Sequence, residues 1–293
     1  MKTKKIIKYC MPVFPGTPFF GVRISSYGLG NLLLIWARAV VYAKDIGAVV
    51  VWPSWTQIHL GGWFRGDKDK RTYCGTFYPT RSYTRRCDFR GHLKFEEHEL
   101  AEFLSEQRSA VVYFRGLGEG FSSLCGHSNF LWRELCSISK TDLNSFRQSA
   151  VEYVGFGIRL GDFKTLGWST PVEWFELRLK ELRLMRPHQK VWIFSDGSDD
   201  ELAGLLKDTL VERAPPCAPI ETIAQMSGTR LMIVTGGSSF YRWGVYLGNV
   251  PVLACAYDKW QAEIWTYLSS RGVALTSVEK PSLCDWETVL GTK

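Results

Sequence analysis

No apolar run in the 293-residue chain reaches the roughly 18 residues that a membrane-spanning helix needs. The best run, Leu32–Ala43, is interrupted by Arg38 and carries Trp36 and Tyr42, which marks a buried helix. The eight cysteines include no C-x-x-C pair, so a zinc ribbon or thioredoxin-like centre is excluded, and they are expected to be reduced and mostly buried. The five histidines show no H-x-x-x-H or H-E-x-x-H spacing, and no G-x-S-x-G elbow is present. Helix-turn-helix, RRM and zinc-finger signatures are missing, as are internal repeats and low-complexity tracts. At the N-terminus, Lys8, Pro12, Pro15 and Pro18 break the apolar stretch that a signal peptide requires, so a cytoplasmic location is expected.

What is there is an ordinary globular composition, 45% hydrophobic and 22% charged, with a net charge of +7. The charge is uneven. Between Phe64 and Lys94 nine Lys/Arg face three Asp, a local excess of +6. Such a segment suits an anionic partner such as a nucleoside diphosphate, an anionic glycan, a lipid headgroup or nucleic acid. A solvated loop is the plain alternative. Tyr73, Phe77, Tyr78, Tyr83 and Phe89 interleave with these cations. Aromatics beside cations suit single-stranded nucleic acid, and equally the apolar faces of sugar rings. No nucleic-acid motif appears elsewhere, and no nucleic-acid partner is expected.

Short apolar strands alternate with helices along the chain. Strands are expected at Gly21–Ser26, Ala48–Trp52, Ala110–Phe114, Tyr153–Arg159, Val191–Ser195, Leu231–Thr235 and Val250–Ala254. Helices are expected at Leu32–Ile46, Glu96–Glu106, Pro171–Met185, Asp199–Lys207, Ser239–Leu247 and Lys259–Ser270. The pattern predicts an α/β protein with parallel sheets covered on both faces, built as two Rossmann-like halves, 1–150 and 151–293. Ligands in such halves sit beyond the carboxyl ends of strands, and also in a cleft between the two.

Four spots follow predicted strands. Gly28-Leu29-Gly30-Asn31 reads as a turn before the long helix, where backbone can approach an anion closely; a plain βα turn fits as well. Gly157-Ile158-Arg159-Leu160-Gly161-Asp162 delivers an arginine whose fork matches a diphosphate. Asp162 there orients Arg159, accepts from a ligand hydroxyl or caps the next segment, and a purely structural Arg–Asp pair is the alternative. Phe194-Ser195-Asp196-Gly197 offers a hydroxyl and a carboxylate for a ribose or base edge, or is simply an Asp-Gly turn. Gly236-Gly237-Ser238-Ser239-Phe240-Tyr241-Arg242 opens a helix as a phosphate cradle, or as a plain serine N-cap.

In this order the four spots resemble the fucosyltransferase-type glycosyltransferases, most closely the α-1,2-fucosyltransferase family. Gly28–Asn31 matches the family's G-L-G-N opening, Gly157–Asp162 its H-x-R-R-x-D, Phe194–Asp196 its F-S-D, and Gly237–Gly244 its N-S-S-F-S-W-W-G. The resemblance implies a GT-B architecture, with an acceptor-side N-terminal domain and a donor-side C-terminal domain. It also implies an inverting, metal-independent transfer from a nucleotide sugar, with no cofactor, and gives Arg159 the role of neutralising the diphosphate. Departures surround the donor: Gly157 replaces the family histidine, Leu160 the second arginine, Gly237 the first asparagine and Arg242 a tryptophan. A UDP-sugar such as UDP-xylose therefore stands beside GDP-fucose as donor. Arg242 is a candidate to restore the charge lost at Leu160.

Inverting transfer needs a base for the acceptor hydroxyl. In the N-terminal half Asp67 is the first candidate, since Gly66 leaves it room, and Asp69 the second; both also read as surface charges. Asp67-Lys68-Asp69 spells D-x-D, but its cationic flanks disfavour a metal. Donor contacts are assigned to Gly28, Gly30, Asn31, Arg159, Asp162, Ser195, Asp196, Ser238, Ser239, Phe240 and Arg242, and the acceptor is expected to be an oligosaccharide or glycoconjugate. The competing expectation is an inactive nucleotide-sugar or glycan-binding module of the same fold.

Overall fold

The computed structural model describes residues 6–19, 22–59, 71–85, 89–255, 268–271, 273–276 and 286. The chain divides into two compact units between Thr141 and Asp142. None of the described helices is long and apolar enough to cross a membrane.

The first unit runs β1 (Lys8–Pro12), β2 (Thr17–Phe19), β3 (Val22–Ile24), α1 (Leu29–Ile46), β4 (Val49–Val51), β5 (Gln57–Ile58), β6 (Tyr83–Thr84), β7 (Leu93–Glu96), α2 (Leu100–Ser105), β8 (Ala110–Phe114) and α3 (Ser128–Ile138). Its main sheet is all-parallel, in the order β6-β4-β1-β8-β7. The central strand β1 lies in the proline-broken N-terminal stretch, where the sequence shows no strand. Pro12 is tolerated because it is the strand's last residue. Helix α1 packs on β1, β4 and β8 and is buried around most of its circumference, as its all-round Leu/Ile/Ala/Val surface dictates. It starts at Leu29, three residues before the expected Leu32, so Leu29–Asn31 form its first turn. Gly47 ends it in the left-handed region at φ 67°.

A cation enters this interior. Arg38 of α1 is buried and bonds to Glu97 (2.8 Å) and to the Arg115 and Gly116 carbonyls (2.8 and 3.1 Å). Burial lowers the Arg38 pKa and raises that of Glu97, and their mutual attraction opposes both shifts.

The region expected as one helix, Glu96–Glu106, is a strand end, a 3-10 turn at Glu97–Glu99 and a shorter helix, α2. Leu93–Glu96 pairs with β8, and the Glu99 side chain accepts the Glu96 N–H (2.8 Å), which starts the turn. The aromatics of the basic segment are corrected too. Tyr73, Phe77 and Tyr83 are buried, with Phe77 against Trp55 (4.3 Å between centroids) and Tyr83 against Trp52 (5.2 Å), so they build core rather than a stacking surface. Of the six described cysteines only Cys10 and Cys255 are buried, while Cys74 and Cys125 are exposed. Burial pushes the Cys10 thiol up to about 12 and that of Cys255 to about 11.

The second unit runs α4 (Leu143–Ser149), β9 (Tyr153–Ile158), α5 (Gly161–Leu166), α6 (Val172–Met185), β10 (Lys190–Ser195), α7 (Ala203–Leu206), β11 (Val211–Arg213), α8 (Pro219–Gly228), β12 (Leu231–Thr235), α9 (Ser239–Gly248), β13 (Val252–Cys255) and β14 (Val273–Thr276). Its sheet is all-parallel in the order β11-β10-β9-β12-β13-β14. The sequence runs outward one way from β9 and then the other way from β12, so the switch point lies between those two strands. On one face Val154, Phe156, Ile158, Ile193, Ile233 and Leu253 form the core with Trp174, Phe175, Leu179 and Leu182 of α6. Each such side chain, fully buried, contributes about 1.5–3 kcal/mol.

The other face carries α8 and α9, with α4 packed on α8. Glycines set the spacing there. A Cβ on Gly244 would lie 2.5 Å from Met226 Cβ, and one on Gly228 would lie 1.9 Å from the Arg147 carbonyl oxygen. The helix expected at Asp199–Lys207 contracts to α7. The preceding turns bond i to i+3, as in Leu202 N–H to the Asp199 carbonyl (3.2 Å). The expected helix Lys259–Ser270 falls, up to residue 267, outside the described residues. Gly228→Ala is expected to force α4 and α8 apart and to cost about 1–3 kcal/mol, seen as a lower urea midpoint at unchanged slope.

Candidate functional site

Three strand ends meet at the switch point of the second unit. Strand β9 ends at Ile158, and Arg159 follows. Its backbone N–H donates to Thr235 Oγ1 (3.3 Å), which ties the end of β9 to the end of β12. Its guanidinium Nη1 sits 2.9 Å from Asp196 Oδ2, just past β10. The ring of Phe163 lies beneath that guanidinium at 5.6 Å. Arg159 is thus held from three elements, yet it remains about a quarter exposed, with side-chain exposure of 26%.

The carboxylate that holds Arg159 is Asp196. Its other oxygen accepts the Leu160 N–H (2.8 Å). Asp162 lies in the first turn of α5. Gly161 lets Asp196 approach, because a Cβ there would lie 2.5 Å from Oδ2. Ser195 Oγ accepts the Gly197 N–H (3.0 Å) and shapes the turn. Arg213, which no motif marked, straps this turn through the Gly197 and Ser195 carbonyls (2.6 and 3.4 Å) and Asp199 (2.5 Å).

After β12 the chain turns through Gly236-Gly237-Ser238 into α9. Ser238 occupies the N-cap position, but its hydroxyl makes no capping bond to the helix. Ser239 and Phe240 form the first turn. Arg242 is buried and its Nη2 donates to the Gly236 carbonyl (2.8 Å), so its charge is locked inside the turn. Leu160, where the second arginine was sought, belongs to the buried core. Five of the residues singled out in the sequence, Arg159, Ser195, Asp196, Ser238 and Arg242, therefore lie at the carboxyl ends of β9, β10 and β12.

The position of the missing histidine is also explained. A Cβ on Gly157 would lie 2.9 Å from Val234 Cγ1 and 3.0 Å from the Tyr241 ring. Tyr241 fills that space and its hydroxyl donates to the Phe194 carbonyl (3.0 Å). A further feature escaped the sequence. Trp168 is 55% exposed and packs edge-on to Phe163, the ring under Arg159.

In the first unit Gly28 is the N-cap of α1, and a Cβ there would meet nothing within 4 Å. The Asn31 N–H donates to the Gly28 carbonyl (3.1 Å), and Gly30 is buried in the first turn. Asp67 and Asp69 lie outside the described residues. Among the described residues no group of three or more His, Cys, Asp or Glu could hold a metal ion.

Chemically, the arrangement at the switch point of the second unit is one that can receive an anion beside a built-in carboxylate. Arg159 supplies a fork for oxyanions, and the start of the ten-residue helix α9 supplies N–H groups and the positive end of its dipole. Both partners of the Arg159–Asp196 pair are about a quarter exposed, so the pair orients more than it stabilises.

Glu201 supports the Ser195–Gly197 turn. Its Oε2 accepts the Ser198 N–H (2.7 Å) while its own N–H donates to Ser198 Oγ (3.3 Å), a capping box. Lys164 and the Ser198 bonds lower its pKa from 4.5 to about 2. Stability from Glu201 is therefore complete above pH 4.5 and lost as pH falls toward 2. Glu201→Gln should flatten the stability profile in that window, as read by urea midpoints at stepped pH. Gly157→His should cost about 1–3 kcal/mol by overpacking. Adding Tyr241→Ala should recover part of that loss in the same denaturation assay.

Neither a protein-family model nor a curated protein matches the sequence. Solved structures do. The NodZ α-1,6-fucosyltransferase co-crystallized with GDP aligns at 12% identity and TM-score 0.52, over 86% of this chain and 96% of that one. The same enzyme soaked with GDP-fucose aligns at 14% identity and TM-score 0.53, over the same shares. Fucosyltransferase NodZ from Bradyrhizobium aligns at 12% identity and TM-score 0.51, over 85% of this chain and 95% of that one. At these identities the likeness is one of fold, and the chain has the α/β fold with parallel sheets of these fucosyltransferase structures.

Proposed function

We propose that the protein is a glycosyltransferase that moves one sugar from a nucleoside diphosphate sugar to a hydroxyl of an acceptor oligosaccharide or glycoconjugate. The observation that carries this reading is Arg159. A partly exposed guanidinium, fixed by Asp196 and Thr235, stands at the switch point of a 3-2-1-4-5-6 sheet, beside a Gly-Gly-Ser turn that opens a helix. That the similar NodZ structures were obtained with GDP and GDP-fucose supports a nucleotide sugar as the ligand.

In this reading the diphosphate lies against Arg159 and the start of α9. The negative charge that grows on the leaving diphosphate is met by that guanidinium and the N–H groups of the first turn. Arg242 braces the turn from inside, and its charge adds to the local potential. Together they replace a metal ion, so transfer is expected to proceed in EDTA. Ser195 and Asp196 border the nucleoside. The first unit supplies the acceptor side, and its Gly28, with open space around a Cβ there, admits close approach of the donor. Asp67, with Asp69 second, takes the proton from the acceptor hydroxyl as it attacks the anomeric carbon from the face opposite the diphosphate, which inverts the configuration.

The donor is GDP-fucose or a UDP-sugar such as UDP-xylose, and linkage within the fucosyltransferase type stays open. A second reading, an inactive nucleotide-sugar or glycan-binding module, draws on one observation: Leu160 is buried in the core and adds no second positive charge. A thermal-shift panel with GDP, UDP, dTDP and CMP, with manganese and with EDTA, tests the site. One diphosphate should raise Tm, by about 2.7 kcal/mol of stabilisation at 100-fold excess over Kd, unchanged by EDTA. Arg159→Gln should remove the shift. Asp67→Asn should leave the shift intact and cut sugar transfer by about 100-fold or more. A module would show the shift but release no nucleotide from any donor.

A further inference from the structure

The opposite end of the second sheet carries a second, unrelated concentration of positive charge. Two adjoining cavities of about 400 and 380 Å³ open where β9, β10, β12 and β13 begin. Both are lined by Arg186 and Arg230; the first adds Lys190 and His188, the second Arg271. The one carboxylate in the lining is Glu152, which sits 3.8 Å from Lys190. With His188 neutral, the four cations and Glu152 leave a net +3.

The three arginines are not used up by the fold. Among the described residues the guanidiniums of Arg186 and Arg271 form no hydrogen bond or ion pair. Arg230 is tethered by one bond, Nε to the Val151 carbonyl (3.0 Å), which leaves its two terminal nitrogens available. Nearby Arg183, by contrast, is held by Asp208 (2.6 Å) and the Gln189 carbonyl (2.7 Å). Gathering like charges around a concave surface raises the potential there and favours a counter-anion. Guanidinium forks match tetrahedral oxyanions two oxygens at a time.

We propose that these cavities form a second ligand site, specific for a phosphoryl-bearing anion of two or more charges, at the amino ends of the strands. Arg186 and Arg230 bridge the two cavities and grip adjacent phosphoryl oxygens. Lys190 and Arg271 flank them, beside His188. The site does not rest on the transferase reading. Strands of five to six residues, at about 3.3 Å each, set it some 15–20 Å from Arg159.

Inorganic pyrophosphate is the probe, titrated calorimetrically into the whole chain with the Arg159→Gln substitution, so that the switch-point site does not compete. Saturable binding is expected, weakened about tenfold or more by Arg186→Gln and by Arg271→Gln. Among the described residues neither guanidinium forms a hydrogen bond or ion pair, so both variants should fold, with unchanged circular dichroism. Each should keep the nucleotide-induced Tm shift on the Arg159 background. Vesicles containing phosphatidylinositol bisphosphate separate the sources. Sedimentation with them, reversed by pyrophosphate, supports a lipid headgroup; no sedimentation with retained pyrophosphate binding supports a free phosphorylated ligand. The proposal is overturned if pyrophosphate does not bind the Arg159→Gln protein, or if the Arg186 and Arg271 variants bind it as tightly as their parent.

Discussion

Beyond Tyr153, strand β9 shows no side chain to one of its two helical layers, and the second unit is arranged around that bare stretch. Gly155 and Gly157 alternate with Val154, Phe156 and Ile158, so the core face is filled and, past Tyr153, the opposite face is backbone alone. Met232 and Phe194 from the neighbouring strands lean over Gly155, and Val234 and Tyr241 over Gly157. Helix α9 can therefore settle close to the sheet through Tyr241, whose hydroxyl reaches the Phe194 carbonyl. That closeness brings the start of α9 to the end of β9, where Arg159 emerges. A single β-carbon at Gly157 would lift the helix and open the site.

The same constraint accounts for where charge sits. At the carboxyl ends of the strands, cations are few but individually fixed: Arg159 by Asp196, Arg213 by Asp199 and the turn carbonyls, Arg242 by Gly236. At the amino ends they are more numerous and largely unpaired. Fixed cations orient a ligand, since little side-chain freedom is left to lose on binding. Unpaired ones attract and hold by charge, with a stronger dependence on salt. One sheet thus presents two cationic environments of different character at its two ends.

Much of this was legible in the sequence wherever local pattern and tertiary context agree. Ala110–Phe114 and Leu231–Thr235 read as strands and are strands residue for residue, because each is a short apolar run flanked by turn residues. Arg159, Asp196 and Ser238 were marked by their place after a strand. β1 was hidden by Lys8 and Pro12, which a central strand admits only at its ends. Helix α8 was hidden because its proline opens it rather than breaking it. The aromatics at 73, 77 and 83 misled, since sequence spacing carries no information about which way a loop ring turns. Arg213 and Trp168 had no signal, because their relation to Arg159 exists only once three strand ends are brought together.

The departures from the fucosyltransferase pattern are coupled rather than independent. Gly157 goes with Tyr241, which fills the volume a histidine would need. Leu160 joins the core and packs on Gly197, where a Cβ would lie 2.5 Å from Leu160 Cδ1, so the turn after β10 is fitted to a leucine. An arginine at 160 would have to leave that contact or bury an unpaired charge, at a cost of several kcal/mol. The positive charge this chain does carry there is Arg242, on the first turn of α9 and bonded to the turn it follows. A charge placed there acts on a ligand at the helix start together with the helix dipole, whereas one at 160 would act from the strand side. In the proposed reading, the ligand oxygens nearest α9 are therefore the ones expected to be held most firmly.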